Sequence, residues 1–480
     1  MNYKLVLRVT GLALILEAAC LLLPMLVSLI YRENPLPFLW SILILAAVGG
    51  ALSLLLKKAP RTLQARDGFL TVGLIWTLFG AFGALPFWFS GLFGNYVNCF
   101  FECISGFTTT GSSILTAVEG LPYGLLFWRS FTNWLGGMGV LVLTAALLPS
   151  LGLSSNFLIR AESPGPVKSK LVPRASQSSK ILYSIYLALT VIQIPLLRIA
   201  GLPWYDSIVA AFSTAGTGGF SILNTSIGGY NNPAVEIIIT VFLILFSINC
   251  AMYFLLVTRR FRQILQSDEL RFFLIVVVVS VAAITINIAP TFDTLGDAIR
   301  AAAFQVASII STAGFATVDF NLWPEFSKML LVILMFVGAC AGSTGGGMKC
   351  SRILVLLRSA RREIRTIIHP RSVSVVRLDG EPLSEQTVKT TQSYFIIYMF
   401  LIFIAALVVG IDNFSFGTTL TAVISCVGNI GPGLEAVGPM GNFAAFSDLS
   451  KLVLSCCMIL GRLEMFPVLG LFSRNAWKRH

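Results

Sequence analysis

Four glycines in this chain occupy the same position in four similar stretches of sequence. Each glycine follows a serine by six residues, and the stretches recur about every 100 residues along the chain. The four pairs are Ser105 with Gly111, Ser213 with Gly219, Ser308 with Gly314 and Ser425 with Gly431. Glycine permits backbone conformations that other residues resist, so extended segments here could point their carbonyl oxygens toward a common axis. Rings of such oxygens can replace the hydration shell of a monovalent cation.

Four consecutive positions in each stretch form four candidate rings around that axis. In chain order the rings are Thr108, Gly216, Ser311 and Gly428; Thr109, Thr217, Thr312 and Asn429; Thr110, Gly218, Ala313 and Ile430; and Gly111, Gly219, Gly314 and Gly431. Polar side chains fill the second ring. No acidic residue belongs to any ring, which argues against a divalent-cation site built from carboxylates. These stretches therefore predict coordination of a monovalent cation by backbone oxygens.

The composition places these rings in a membrane. The chain has 480 residues, of which 56% are hydrophobic and only 12% are charged, whereas soluble domains have about 25% charged residues. This excludes a secreted or cytosolic enzyme. The two histidines, His369 and His480, leave almost no material for a histidine metal site or a Ser/His/Asp triad. Most of the nine cysteines lie in apolar runs, which predicts reduced, buried thiols.

Hydropathy predicts ten membrane spans. They lie near 8–30, 37–57, 68–90, 122–148, 181–200, 233–258, 271–290, 325–357, 392–411 and 449–473. The net charge is +12, and lysine and arginine concentrate in the segments 58–67, 149–180, 259–270 and 358–391. Because basic loops stay in the cytoplasm, both termini are predicted to be cytoplasmic. The spread of basic residues over separate loops also argues against nucleic-acid binding.

The repeated stretches predict an all-α polytopic membrane protein built from four consecutive span–re-entrant loop–span units. Two additional helices precede them in residues 1–66, and the four units occupy 67–150, 151–260, 261–390 and 391–480. The apolar segments before the glycines fit half-membrane helices, whose C-terminal ends favour a cation. The alternative is that glycine and serine merely allow close helix packing. Four clusters in one register favour pore loops.

A candidate gate interrupts the predicted span 325–357. The sequence GSTGGGMK at 342–349 is too rich in glycine for a continuous helix, and irregular backbone at membrane depth should line a cavity. The candidate gating residues in this segment are Gly342, Ser343, Thr344, Gly345, Gly346, Gly347 and Lys349. The alternatives are a glycine kink for helix packing and a nucleotide-binding loop. Met348 and Cys350 break the nucleotide-binding pattern.

Arg462 is the second part of the candidate gate. It lies 13 residues into the last predicted span, at a depth similar to that of the glycine segment. A buried arginine in a span is costly and indicates a function. Its charge would repel a cation, and its guanidinium could donate to loop carbonyls near Gly345. The alternative is an ion pair with Glu464 or with another helix.

The loops resemble those of a known family. TTTGSS at 108–113, STAGTGGFS at 213–221, STAGF at 311–315 and GNIGPGL at 428–434 are similar to the four filter loops of the Trk/Ktr/HKT superfamily of potassium transporters. The resemblance covers essentially the whole chain, and the two additional N-terminal helices make it closest to the bacterial TrkH/TrkG type. Gly111 stands where sodium-preferring plant members have serine, so the resemblance implies potassium. The implied potassium-binding residues are Thr109, Thr110, Thr217, Gly218, Thr312, Ala313, Asn429 and Ile430.

The resemblance also implies partners and a location. It implies one pore per subunit, a homodimer in the bacterial inner membrane, a gate at the 342–349 loop and Arg462, and a cytosolic ring of TrkA-like subunits. NAD or ATP is expected only on those subunits, and potassium is the ligand expected on this chain. Two other classes of membrane protein fit the composition but not the repeats and side chains of this chain. An ion-coupled secondary transporter usually shows two inverted repeats, and a membrane enzyme needs catalytic side chains clustered at one depth.

Overall fold

The computed structural model of the chain describes residues 3–56, 65–137, 175–371, 374–463 and 465. In this part of the chain the strands are confined to one two-stranded hairpin, Arg377–Leu378 with Glu381–Pro382, in which Arg377 pairs with Pro382. All other regular structure is helical, and the predicted all-α class is confirmed.

The helices follow the predicted order of two N-terminal spans and four repeats. The N-terminal spans are Tyr3–Cys20 with Leu22–Ile30, and Leu36–Leu55. The first helices of the repeats are Ala65–Gly83 with Leu85–Ser90, Ala175–Ile199, Asp268–Ile288 and Glu385–Val409. The pore helices 1 to 4 are Tyr96–Phe107, Trp204–Ala215, Leu295–Ile310 and Phe416–Gly428. The helices after the pore loops are Tyr123–Gly137; Pro233–Ser247 with Cys250–Val257; Glu325–Val337 with Cys350–Ile368; and Asp448–Arg462.

Short elements connect these helices. They are the helix Phe261–Leu265 and the 3-10 turns Ser226–Tyr230, Ala289–Thr291, Phe320–Leu322, Gly410–Asp412 and Glu435–Val437. The predicted unit boundary at 390/391 falls inside the helix Glu385–Val409, because its polar first turn extends the helix beyond the apolar stretch. The boundary at 150/151 lies outside the described residues.

Side-chain caps fix where three of the pore helices begin. Asn95 accepts a hydrogen bond from the Asn98 amide, Thr294 from the Asp297 amide and Ser415 from the Thr418 amide. Each cap satisfies an amide that has no partner within its helix. Their C-terminal turns are buried in the centre of the molecule, around Phe107, Ile310 and Gly428. The caps and the buried ends together aim each pore helix at the same central region.

The two N-terminal spans pack through glycine. A β-carbon built on Gly11 would lie 2.9 Å from the carbonyl oxygen of Gly49, and one built on Gly49 would lie 2.7 Å from that of Gly11. Small residues allow this approach of two membrane helices. The first span then packs against the helix Ala65–Gly83 of repeat 1.

Six described helices are long and apolar enough to cross a membrane, and a bent pair would be a seventh. The predicted span 233–258 is broken rather than continuous, because its two helices meet at 91°. Ile248 is extended between them, and Asn249 caps the second helix by accepting from the Ala251 amide. The ends of the predicted spans at 138–148 and 466–473 lie outside the described residues.

The predicted break in the span 325–357 is present, but the helix that follows the break differs from the prediction. The first helix ends at Val337, the backbone is irregular from Gly338 to Lys349, and a second helix runs from Cys350 to Ile368. That second helix carries five arginines, so it is amphipathic and does not qualify as a span. The apolar residues from Ile353 onward that suggested a span cover only one face of this helix, because its polar residues recur on the other.

Candidate ion-conduction site

The four glycine stretches converge and form a closed cycle, which we call the candidate filter (108–111, 216–219, 311–314 and 428–431). A β-carbon built on each glycine would meet a carbonyl oxygen of the next stretch. The distance from the built β-carbon to the carbonyl oxygen is 2.2 Å for Gly111 with Gly218 and 1.9 Å for Gly219 with Ala313. It is 2.0 Å for Gly314 with Ile430 and 2.6 Å for Gly431 with Thr110. The four residues whose carbonyl oxygens make these contacts are the members of the third predicted ring. The cycle returns to its start, so the four stretches surround one axis.

Each stretch has the same backbone conformation. The second position has a positive φ in all four, at 55° for Thr109, 51° for Thr217, 63° for Thr312 and 54° for Asn429. The glycine two residues later is again left-handed, at 82°, 72°, 76° and 104° in chain order. The residue between these two positions has a negative φ in every stretch, so the sign of φ alternates in the same way in all four. Threonine strongly resists a positive φ, and strain repeated at one site indicates a functional constraint.

The repeated serines act through their backbone. The carbonyl oxygens of Ser105, Ser213, Ser308 and Ser425 each accept from the amide five residues later, at 2.8 to 2.9 Å. These amides belong to Thr110, Gly218, Ala313 and Ile430. The bond ties the third ring to the last turn of each pore helix. It also explains why the register between serine and glycine is constant while the flanking side chains vary.

Side chains cross-link neighbouring stretches. Asn429 Nδ2 donates to Thr110 Oγ1 at 3.0 Å and to the Met458 carbonyl at 2.9 Å, joining stretches one and four to the last helix. On the other side of the ring, Arg129 pairs with Glu102 at 2.8 Å and donates to the Ser221 carbonyl at 3.1 Å. Both members of that ion pair are almost fully buried. Removing either partner would leave an uncompensated buried charge.

A cavity of about 130 Å³ lies at the glycine end of the candidate filter. Its lining includes the four filter glycines together with Arg129 and Asn224. Beside this cavity, in the segment predicted to face outside, Ser415 donates to the Glu435 carboxylate and lowers the pKa of Glu435 below its ordinary value. This carboxylate is therefore ionised at neutral pH, where its charge would attract cations toward the cavity.

The candidate gating loop, 342–349, lies directly against the other end of the candidate filter. The Gly346 amide donates to Thr312 Oγ1 at 2.7 Å. β-Carbons built on Gly345 and Gly347 would lie 2.9 Å from the Ser311 carbonyl oxygen and 3.1 Å from that of Gly428. These two oxygens belong to the first predicted ring. The loop thus contacts stretches three and four at the end of the axis opposite the glycines.

Not every predicted gating residue contacts the candidate filter. The Gly342 carbonyl accepts from the Cys250 amide at 3.1 Å, and Ser343 Oγ donates to the Cys340 carbonyl at 2.6 Å. Thr344 Oγ1 donates to the Phe246 carbonyl at 3.1 Å. This half of the loop therefore runs along the 91° break in repeat 2, whose freed backbone groups become its partners.

Arg462 and Lys349 bind loop carbonyls. Arg462 donates to the Thr344 carbonyl at 2.7 Å, and to the carbonyls of Gly136 and Gly137 at 2.5 and 2.7 Å. Lys349 Nζ donates to the Gly345 carbonyl. Gly136 and Gly137 belong to the helix Tyr123–Gly137, so Arg462 joins that helix to the gating loop. A guanidinium has enough donors to bridge several oxygens at once. The alternative ion pair of Arg462 with Glu464 involves a residue that lies outside the described part of the chain.

Sequence reasoning missed Arg129, Asn249 and Glu269. Arg129 lies within a predicted span, so the cost of burying its charge was an available signal. The Asn249 side chain lies beside Gly342 of the gating loop, and the Glu269 side chain accepts from the amide of Ala341, which precedes the loop. Neither lies in a recognisable motif. Their roles depend on which segments the fold brings together.

Known proteins resemble this chain in both sequence and fold. The TrkH family, described as a cation transport protein, matches residues 37–479. The Trk system potassium uptake protein TrkH of Salmonella typhimurium is 37% identical over 487 residues and covers 100% of both chains. TrkG of Escherichia coli, of the same named system, is 34% identical and covers 99% of both chains. The crystal structure of the potassium transporter TrkH from Vibrio parahaemolyticus superimposes with a TM-score of 0.90 at 33% identity over 100% of each chain.

These matches confirm the resemblance drawn from the four loops and the four-repeat fold. The similarity to the Salmonella relative and to the crystal structure extends over the whole length of both chains. It therefore includes the N-terminal spans and all four repeats. With its apolar helices, the chain is a multi-pass membrane protein. It belongs to the TrkH family of cation transport proteins.

Proposed function

We propose that the chain conducts potassium selectively as the membrane subunit of a bacterial uptake system. It lies in the inner membrane with both termini in the cytoplasm. Relatives over its full length are named potassium uptake proteins, and basic residues concentrate in the segments on the predicted cytoplasmic side.

The observation that carries this proposal is the closed cycle of glycines against carbonyl oxygens. Each stretch presents the same alternating backbone, and the cycle contains no acidic side chain. Backbone oxygens arranged around one axis suit a dehydrated monovalent cation. The second and third rings are the proposed potassium sites, at Thr109, Thr110, Thr217, Gly218, Thr312, Ala313, Asn429 and Ile430.

The gating loop and Arg462 are the proposed gate. The loop lies against the first ring, and the Arg462 guanidinium holds it to the helix Tyr123–Gly137. A cation on the exit path would repel potassium. Opening would require the loop to leave Thr312 and Arg462 to release the Thr344 carbonyl.

We further propose a homodimer that binds cytosolic, TrkA-like regulatory subunits, on which NAD or ATP would bind. The helix Cys350–Ile368 supports a docking role, because it presents arginines and exposed apolar residues such as Leu357 and Ile364. It also begins directly after the gating loop. A partner bound there would act on the gate through a single helix.

The test is cation flux into liposomes that contain the purified chain alone. Potassium, rubidium, sodium and lithium are compared, with empty liposomes as the control. We expect flux of potassium and rubidium to exceed that of sodium and lithium, because the carbonyl rings fit the larger ions. The flux should persist when a proton ionophore abolishes any pH gradient, whereas obligatory proton symport would require that gradient.

The Arg462→Ala variant completes the test. A closed gate would suppress flux in the unmodified chain, and the variant should then conduct potassium and rubidium. Absence of flux through both proteins, each folded and monodisperse, would contradict the proposed function. Flux without discrimination among the four cations would contradict the assignment of the rings.

A further inference from the structure

The two ends of the candidate gating loop are bridged by one carboxylate, next to a direct hydrogen bond from the Cys350 amide to the Ala339 carbonyl at 3.0 Å. Glu269 Oε1 accepts from the Ala341 amide at 2.7 Å and from the Ser351 amide at 3.0 Å. Ala341 immediately precedes the loop and Ser351 follows it, so a single oxygen binds both of its ends. Glu269 belongs to neither, since it lies in the first turn of the helix Asp268–Ile288.

Burial makes these bonds strong. The exposed fractions are 8% for Glu269, 8% for Ala341 and 2% for Ser351. Hydrogen bonds to a charged group are stronger than neutral ones, and shielding from water strengthens them further. Ser351 is the second residue of the helix Cys350–Ile368, where the helix dipole also favours a negative charge.

The residue before Glu269 in the same helix turn, Asp268, makes a second set of contacts nearer the surface. Asp268 accepts from Arg358 at 2.8 Å and from the Asp379 amide at 2.9 Å. Arg358 also donates to the Arg377 carbonyl, in the hairpin, at 2.7 Å. The helix Cys350–Ile368 is thus fastened at Ser351 by Glu269 and at Arg358 by Asp268. A pull on the hairpin or on this helix would be transmitted to the ends of the loop.

We propose that Glu269 is a positioning residue for the gate. Its carboxylate pins the two ends of the loop together and so holds Gly345–Gly347 against the first ring. When the side chain at position 269 is too short to bind both amides, the two ends of the loop separate and the loop withdraws from the conduction path. This inference rests on the proposed function only for its flux readout, since the position of the loop can be measured separately.

Three substitutions separate reach from charge. Glu269→Ala removes both hydrogen bonds. Glu269→Asp keeps the charge but shortens the side chain, so that it cannot span both amides. Glu269→Gln keeps the reach and an accepting oxygen but loses the charge. Glu236→Ala is the matched control, because Glu236 is 9% exposed but pairs with Arg300 on pore helix 3, away from the gating loop.

Potassium flux into liposomes is the first readout. We expect flux to rise in the order wild type, Gln, Asp, Ala, with an increase of roughly tenfold or more for Glu269→Ala, since each charged hydrogen bond shifts an equilibrium by at least that factor. The ratio of potassium to sodium flux should stay at the wild-type value, because the candidate filter is untouched. The Glu236→Ala control should keep the wild-type potassium flux.

Thiol labelling is the second readout and does not depend on conduction. Cys340 and Cys350 flank the loop and are about 1% and 0% exposed, so a maleimide should label them slowly in the wild type. Peptide mass spectrometry should find faster labelling of both in Glu269→Ala and Glu269→Asp. Cys99, which is buried on pore helix 1, is the internal standard whose slow labelling should not change.

The outcomes are distinct. Unchanged flux together with unchanged labelling in folded Glu269→Ala overturns the proposal. If Glu269→Ala does not fold, the Asp and Gln variants decide, since a larger effect of Gln than of Asp would mean that charge rather than reach matters, and the clamp would be wrong. A fall in selectivity would also overturn it. Faster labelling with no flux in any variant supports the clamp and contradicts the proposed function instead.

Discussion

The candidate filter and the candidate gating loop are both irregular, glycine-rich backbone at the centre of the protein, yet they are held in different ways. Each filter stretch is bonded by its own amides to the pore helix that precedes it, and its glycine abuts the next stretch. The gating loop is held partly by backbone bonds to the break in repeat 2 and partly by side chains such as Thr312 and Arg462, and Glu269 binds its two flanks.

This difference separates two properties. Backbone bonds within one helix–loop unit cannot be released singly, so the geometry of the candidate filter is rigid, as an ion-selective ring requires. Side-chain bonds can be released one at a time, so the gating loop can move while the rings stay intact. The comparison predicts that filter substitutions change selectivity and that substitutions around the loop change flux.

The largest effect is expected for Gly219→Ala. The new β-carbon would lie 1.9 Å from the Ala313 carbonyl oxygen, at a left-handed position with φ 72°. The third ring must distort, and the ratio of potassium to sodium flux should fall roughly tenfold or more. Gly91→Ala is the matched control, because Gly91 has φ 71° but nothing within 4 Å. Equal behaviour of the two variants would show that backbone strain, rather than ring contact, matters.

Gly111→Ser tests the same contact from the first stretch. Its β-carbon would lie 2.2 Å from the Gly218 carbonyl oxygen, slightly farther than in Gly219→Ala. We expect weaker discrimination of potassium from sodium, measured as a permeability ratio in liposomes. An unchanged ratio would contradict the register of the rings.

Arg462→Ala should act on flux alone. It removes the hydrogen bond to Thr344 and those to Gly136 and Gly137, so potassium flux should rise by roughly tenfold at constant selectivity. Arg198→Ala serves as the control, since Arg198 also donates to a backbone carbonyl, that of Leu202, but outside the gate. Lost selectivity with unchanged flux would break the division between the two regions.

Lys349→Met should give a smaller effect of the same kind. The lysine donates to the carbonyl of Gly345, within its own loop, and methionine preserves most of the side-chain volume. We expect potassium flux to rise severalfold, less than in Arg462→Ala, because one loop-internal bond is lost while the bridge to the neighbouring helix remains. A larger increase than in Arg462→Ala would identify the lysine as the principal barrier.

The smallest effect on transport is expected far from both regions. In Gly49→Ala the β-carbon would lie 2.7 Å from the Gly11 carbonyl oxygen, whereas the neighbouring Gly50 has nothing within 4 Å. Gly49→Ala should destabilise the N-terminal pair by about 1 kcal/mol or more, and Gly50→Ala should not. Thermal unfolding measures the difference, and flux and selectivity should stay at wild-type values in both variants.

The sequence by itself determined the repeated architecture. Hydropathy and the serine–glycine register specify the spans and the four repeated loops, because each signal is local and recurs. Even the broken helix after the third loop followed from the glycines at 342–347. The same local signals misled where an apolar run was not a straight helix, at 233–258, and where apolar residues cover one face of the arginine-rich helix Cys350–Ile368.

Only the tertiary structure decided what holds those segments in place. The bridge between the ends of the loop depends on Glu269, 72 residues from Ala341 in sequence, and Arg462 reaches Gly136 across 326 residues. No local pattern specifies such pairs, since any buried carboxylate or arginine needs partners but the sequence does not name them. The folded arrangement of the repeats supplies the partners.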